Sequence, residues 1–472
     1  MFASQVTENI HAVVTGCLRS QLVTNKNHSG VRRQLILGYS GGLDSRVLLQ
    51  VLHELKSVWQ ANFELSAVYV NHGLQKEAND WQQHCKQTAE SLGVRFISVT
   101  VSLAQNTSAS LEELARNARY EVFQRYLKKD DVLCLAHHQE DQAETVLLRL
   151  LRGSGPLGLG GMRADSARGD FRVLRPMLSL SKQSLESYAQ ERQLQWVEDP
   201  SNAEIEYDRN YLRLKVMPLL ERRWPNVPKR LARSAQLSAE AARLLDSLAE
   251  IDLATVGSYI EGSLLTEKLA LNITRLKCLE TERCLNLLRY WLRSLGLALP
   301  SRANLQRVAR EVFSAAEDSD PCVLWSGVEI RRFKNHLYAL RPLPEESTQQ
   351  VYSWNFQGSL VLAGGLGELH STVTSATSAG AENQCLRQPQ AGEQITVRFR
   401  QGGERCKPVG HSHSQTLKKL FQSYAVPPWE RNRLPLVYYN DQMAAVVGKW
   451  ICHGYNAQAG ETGYRLSWRV TV

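Results

Sequence analysis

The sequence predicts an α/β fold: a parallel sheet with helices on both faces, followed by a helical region and a smaller α+β part at the C-terminus. Three observations predict it. Over the first 200 residues, short apolar runs alternate with amphipathic helical patterns, the rhythm of a parallel sheet covered on both sides. Two of those runs, QLILGY and VLCLA, are almost continuously apolar, as strands buried on both faces are. After Asp199-Pro200 the rhythm gives way to nearly unbroken helix.

In chain order, strands are expected at Gln34–Tyr39, Leu65–Val70, Val94–Val101, Val132–Ala136 and Phe171–Leu174. Helices are expected near Ser45–Trp59, Glu77–Leu92, Ser110–Leu127, Gln139–Arg152 and Ser181–Gln193. Residues 201–315 read as helical, 322–341 as a short hairpin, 371–384 as a small polar loop, and Ser414–Tyr424 as a helix. These changes of rhythm place domains at 1–218, 219–345 and 391–472, with 346–390 a linker or variable segment.

Composition narrows the function. The chain has 472 residues, 43% hydrophobic and 22% charged, which excludes a disordered or fibrous protein. No apolar run approaches the roughly 18 residues of a membrane span, and the start, MFASQVTENIHAVVTG, has no basic cluster followed by an apolar core. The nine cysteines are scattered, and none is spaced C-x-x-C. A reduced, cytoplasmic protein without a disulfide framework, zinc ribbon or sulfur-cluster motif is expected. Net charge is +9, and residues 391–472 hold eleven Lys/Arg against five Asp/Glu. A second basic cluster is Arg222, Arg223, Lys229, Arg230 and Arg233. Such clusters are either the footprint of a polyanion or a solvated surface.

The strongest local signal is Ser40-Gly41-Gly42-Leu43-Asp44-Ser45, between a strand and a helix. Two glycines allow a tight turn that brings backbone amides close to an anion, and the following helix adds its positive end. Ser40 and Ser45 add hydroxyls. Asp44 would repel phosphate, and makes sense if it holds Mg²⁺ or orients a reacting group; otherwise it is a helix-start residue. No Walker A sequence occurs, and Gly153-Ser-Gly155-Pro-Leu-Gly158 follows a helix, so it reads as a terminator and loop.

The second constellation is His137-His138-Gln139-Glu140-Asp141-Gln142-Ala143-Glu144, which follows the fourth strand. Asp141 and Glu144, three apart, share a helix face. Val146, Leu147, Leu150 and Leu151 are expected to form the core stripe, leaving both carboxylates off the core. If strands one and four are neighbours, this segment faces the glycine loop across the switch point of the sheet. The carboxylates would bind an amine, join His137 and His138 as metal ligands, or only favour the helix N-terminus. Asn71-His72-Gly73-Leu74 after the second strand, Arg116 and Arg119 three apart on the helix that starts at Ser110, and Asp199-Pro-Ser-Asn202 before Arg209 and Arg213 complete the polar set.

The glycine loop resembles the PP-loop motif SGG-x-D-S of the ATP pyrophosphatases. SGGLDS, YVNHGL, SLEELARNARY, AHHQEDQAETVLLRLLRGSGPLGLGGM, LRPML and EDPSN with RNYLR together resemble the tRNA(Ile)-lysidine synthetase family. The tail fits through GERCKPVG, LKKLFQ, VPPWERNRLPLV and VVGKW. The resemblance implies a PP-loop (adenine nucleotide α-hydrolase-like) domain and a ligase. ATP would adenylate the C2 oxygen of the wobble cytidine of an isoleucine tRNA with a CAU anticodon, and L-lysine would displace AMP. It implies ATP on Ser40, Gly41, Gly42, Leu43, Asp44 and Ser45, with Mg²⁺ at Asp44. Lysine would sit on Asp141 and Glu144, and Arg116 would stabilise phosphate charge or the flipped cytosine. Arg209 and Arg213, and Lys418, Lys419, Arg431 and Arg433 with Trp429 and Tyr424, would meet tRNA. No membrane partner is expected, and a homodimer is allowed for. A thiolase would need cysteines near the loops, and an asparagine synthetase a cysteine after Met1, where Phe2 stands.

Overall fold

The computed structural model describes residues 4–22, 33–59, 63–73, 77–102, 111–259, 269–315, 321–342, 350–376 and 385–469. Leu74, Ser110 and residues 377–384 of the expected polar loop lie outside them. The chain divides into two compact units, Met1–Leu244 and Leu245–Val472.

The first unit runs α1 (Gln5–Leu22), β1 (Arg33–Gly38), α2 (Leu43–Trp59), β2 (Phe63–Asn71), α3 (Ala78–Ser91), β3 (Arg95–Thr100), α4 (Leu111–Tyr126), β4 (Val132–Cys134), α5 (Gln139–Leu151) and α6 (Pro156–Leu159). It continues with β5 (Asp165–Arg168), β6 (Phe171–Leu174), α7 (Lys182–Glu191), α8 (Asp208–Tyr211), a π turn (Leu212–Val216), α9 (Met217–Arg223) and the first part of α10 (Val227–Val256), a helix that runs on past the division at Leu244. The sheet order is β3-β2-β1-β4-β6-β5. β1 pairs in parallel with both β2 and β4, with Leu35 opposite Leu65 and Val132, and only β5 is antiparallel. The strand order therefore reverses between β1 and β4, where the sequence placed the switch point.

Both sheet faces are buried, as the apolar runs require. Leu35, Leu37, Val132 and Cys134 face α1, α2 and α7 in one core, and Ile36, Val68 and Leu133 face Tyr120, Val122 and Phe123 of α4 in the other. α1 and β5 are elements the sequence reading did not contain. One expectation on α5 fails. Val146 is buried, but Leu150 and Leu151 are 55% and 74% exposed. The core stripe therefore ends early, and the buried face of α5 is instead its first turn.

In the second unit, Gly257–Tyr259 and Leu269–Asn272 are strands within the stretch read as helical. They join Cys322–Trp325, Val328–Phe333 and His336–Leu340 in one five-stranded antiparallel sheet. The expected hairpin is thus three strands of a larger sheet, packed under the Leu287, Leu288, Trp291 and Leu292 face of the helix Thr281–Ser294. Strands three or four residues long carry too few side chains for a period to show. The segment 346–390 is likewise more than a linker. Gly367–Ser375 pairs along its length with Thr462–Arg469, and Leu362, Leu369 and Leu386 enter a core shared with Val397, Phe421, Leu436 and Val446. Helix Leu417–Ser423 falls inside the expected one.

Candidate active site

Tyr39 extends β1 by donating its amide to the Val68 carbonyl, and the chain then turns through the glycine loop into α2. Gly41 has φ +83°, and a Cβ there would lie 2.5 Å from Cys85 Sγ of α3, so both its backbone and its packing demand glycine. The Gly41 carbonyl accepts from the Val197 amide, which ties the loop to the segment leading into EDPSN. Ser45 Oγ accepts from the Ser40 amide at 3.3 Å and donates to the Gly42 carbonyl at 3.0 Å. The helical ladder starts with the Arg46 amide on the Gly42 carbonyl; the amides ahead of it have no helical acceptor and carry the positive pole of α2.

β4 delivers His138 opposite this loop. Its Nδ1 lies 2.9 Å from Glu140, and its Nε2 lies 3.6 Å from Asp44 Oδ2 and 3.5 Å from Asp141 Oδ2. The Asp141 carboxylate also accepts from the His138 amide at 3.0 Å, capping α5. Burial opposes a charge on His138, but Glu140, Asp141 and Asp44 together raise its pKa above the ordinary value. The His138 imidazole thus bridges the phosphate loop and the carboxylates of α5. Burial raises the Asp44 pKa, against His138, and Asp44 Oδ1 is buried without a hydrogen-bond partner.

Asp141 and Glu144 are not off the core: Glu144 is 1% exposed and Asp141 9%. They are buried because Arg209 and Arg213 neutralise them. Arg209 Nε donates to Glu144 Oε2 at 2.7 Å, and Arg213 donates through Nε to Oε1 at 2.6 Å and through Nη2 to Oε2 at 2.9 Å. Both guanidiniums also reach Asp141 Oδ1, at 3.3 and 3.4 Å. Burial resists ionisation of Asp141, but His138 and Arg209 hold its pKa below the usual carboxylate value. The arginines are four apart, so they share a face of the helical segment. EDPSN positions that segment: Asp199 caps the next turn through the Ser201 amide, and Asn210 Nδ2 donates to the Ser201 and Glu204 carbonyls.

The rest of the α5 motif holds the following loop. Gln142 makes a two-way bond with the Met162 backbone at 3.0 and 2.7 Å, and Arg149 Nη1 donates to the Gly158 and Gly161 carbonyls. The glycine run after α5 is therefore a loop, as read. Burial and the charge of Arg175 lower His137 to about 3, against Asp141, so it is neutral, and its Nδ1 has no partner. Among the described residues, no group of three or more His, Cys, Asp and Glu side chains is placed to hold a metal ion; His137 and His138 do not join Asp141 and Glu144 in such a set.

Arg116 is exposed, with its guanidinium 5.5 Å from the Tyr120 ring centroid. The C-terminal candidates lie in the other unit. Lys418 and Lys419 are exposed, but Arg431 Nε donates to the Val426 carbonyl and Arg433 Nη1 to the Trp429 carbonyl. Trp429 is 4% exposed and packs against Phe333 and Tyr338, so it is core rather than a stacking platform. Tyr424 is 42% exposed, against Trp450. Sequence reasoning missed His138 as the bridge. A histidine three residues before an aspartate at a helix start was a signal for a reciprocal cap, but not for its pairing with Asp44.

Three family models match the chain: a PP-loop domain over residues 18–220, a TilS substrate binding domain over 271–338 and a TilS substrate C-terminal domain over 395–468. It is 40% identical over 432 residues to a tRNA(Ile)-lysidine synthase of Coxiella burnetii, covering 91% of this chain and 92% of that one. It is 41% identical over 416 residues to one of Legionella pneumophila, covering 88% and 91%. Among solved structures, a U34-tRNA thiolase of Methanococcus maripaludis is similar at TM-score 0.41 and 18% identity, over 50% of this chain and 79% of that one. With the relatives matched along nearly their whole length, the chain belongs to the tRNA(Ile)-lysidine synthase family.

Proposed function

We propose that the chain joins L-lysine to C2 of the wobble cytidine of an isoleucine tRNA with a CAU anticodon, at the expense of ATP, in the cytoplasm. The observation that carries this reading is the link from the phosphate loop, through His138, to a buried carboxylate pair that accepts cations. One end suits a nucleotide's phosphates and the other an amine.

In the first half-reaction the cytidine O2 attacks the α-phosphorus and pyrophosphate leaves. In the second, the lysine ε-amine attacks C2, the C2–O bond breaks, AMP carries the oxygen away, and the amine loses a proton. The loop amides and Ser40 hold the leaving phosphates. Mg²⁺, when bound, would neutralise phosphate charge, and the unpartnered Asp44 Oδ1 is a fitting ligand for it. Asp141 and Glu144 already accept two guanidiniums; the ammonium of lysine would take the place of one, and a carboxylate would receive the proton. A free lysine amine, with pKa about 10.4, needs such help at neutral pH. Arg116 would stabilise the activated cytosine. Residues 1–218 would hold the chemistry, and 219–345 and 391–472, with Lys418 and Lys419, the tRNA body.

The test is release of AMP. It should require lysine and the CAU isoleucine tRNA together, and fail with a methionine tRNA of the same anticodon. AMP release that ignores lysine would refute the reading.

A further inference from the structure

The function proposed above needs cations that can meet RNA, and several candidates are occupied. Arg209 and Arg213 are bound to Asp141 and Glu144, and Arg431 and Arg433 donate to backbone carbonyls. The corner between α9 and α10 is different. Arg222 and Arg223 end α9, Trp224-Pro225-Asn226 makes the turn with Asn226 at φ 64°, and Lys229, Arg230 and Arg233 follow in the first two turns of α10. All five cations are exposed. Among the described residues none of them has a carboxylate partner, and the only acid between Met217 and Arg233 is Glu221. Trp224 is 51% exposed, with the Arg223 guanidinium 5.7 Å from its ring centroid.

This arrangement works against local stability. The first turn of α10 has no acidic residue, and cations near a helix N-terminus oppose the macrodipole. An external anion would relieve both the mutual repulsion and the dipole conflict. The corner is also tied to the site. α8, the π turn and α9 form one continuous helical segment from Asp208 to Arg223, so Arg222 lies about 14 Å along the axis from Arg213 at the α-helical rise of about 1.5 Å per residue.

We propose that the α9–α10 corner is an RNA-backbone docking surface, with Arg222, Arg223, Lys229, Arg230 and Arg233 on phosphates and Trp224 stacked on an unpaired base. The proposal rests on the tRNA reading of the site and adds a contact surface to it. An RNA whose base enters the site carries its flanking backbone over this corner. The exposed indole suits single-stranded RNA, whose bases stack on aromatic rings.

The test uses the full chain with Arg222, Arg230 and Arg233 all changed to Ala, and separately Trp224→Ala. Affinity for the CAU isoleucine tRNA is measured between 50 and 200 mM KCl. Loss of three phosphate contacts should make the slope of log K against log salt shallower by about 2, at roughly 0.7 per contact. Binding at 0.1 M salt should weaken roughly 100-fold by the same arithmetic. KM for ATP and for lysine, at saturating tRNA, should stay within about twofold, because the corner touches neither. Changing the same three residues to Lys should keep the slope, since the charges remain. A triple-Ala variant with the wild-type slope overturns the proposal. So does unchanged tRNA binding with lost binding to phosphatidylglycerol vesicles, which would assign the corner to a membrane. Wild-type chain that binds RNA through this corner yet makes no lysidine would sink the functional reading and leave the surface standing.

Discussion

Glu144→Gln is the sharpest perturbation of the site. The carboxylate is 2% exposed as a side chain, and its partners Arg209 and Arg213 are 21% and 33% exposed. It takes three charge-assisted hydrogen bonds of 2.6–2.9 Å, whereas Asp141 meets the same arginines at 3.3–3.4 Å. The amide would leave two guanidiniums facing the single charge of Asp141, and its NH₂ would point at a donor. Removing one member of a buried ion cluster costs about 3–5 kcal/mol. The exposure of Arg213 lets water screen part of that, so about 3 kcal/mol is expected. For a unit of this size that lowers the melting temperature by roughly 6–12 °C. Thermal unfolding followed by circular dichroism reads it directly. The quadruple variant Asp141→Asn, Glu144→Leu, Arg209→Met, Arg213→Met removes both carboxylates and both guanidiniums, and should recover to within about 1 kcal/mol of wild type, because a cluster without charges avoids desolvation. A Glu144→Gln melt within about 1 °C of wild type, or a quadruple variant that falls just as far, would refute this account of the buried cluster.

Other expectations follow from the same geometry. Asp141→Asn should raise KM for lysine far more than KM for ATP; equal increases in steady-state assays would count against lysine binding there. The adjacent histidines should show opposite pH linkage. His137 is lowered to about 3 in the fold, so the unfolded chain takes its proton first, and stability falls as pH drops below about 6.5, by up to roughly 2 kcal/mol at pH 5. His137→Gln should flatten that slope in urea titrations. His138 is raised, so its contribution is full below about 6.5 and is lost as pH climbs through its folded value; His138→Gln should cost more at pH 6 than at pH 9. Gly41→Ala should destabilise the chain both through φ +83° and through the 2.5 Å approach to Cys85 Sγ. Adding Cys85→Ala should restore only the steric part, so the two changes should be non-additive in denaturant midpoints.

Local chemistry wrote much of this protein into its sequence. The strands β1 and β4 announce themselves because burial on two faces requires continuous apolar runs, and the phosphate loop because only glycine tolerates the Gly41 backbone. The meeting of that loop with the α5 segment was also legible, since both follow strands that flank a reversal in order. What only the tertiary structure decided lies in contacts between residues far apart in the chain. Arg209 and Arg213 neutralise carboxylates 65 to 72 residues earlier, and that turned two residues expected off the core into buried ones. The same holds for Trp429, which a basic neighbourhood suggested was an RNA platform and which packing on Phe333 and Tyr338 made core. Periodicity and turn chemistry act between near neighbours along the chain. Charge pairing and burial act through space, so no local pattern could announce them.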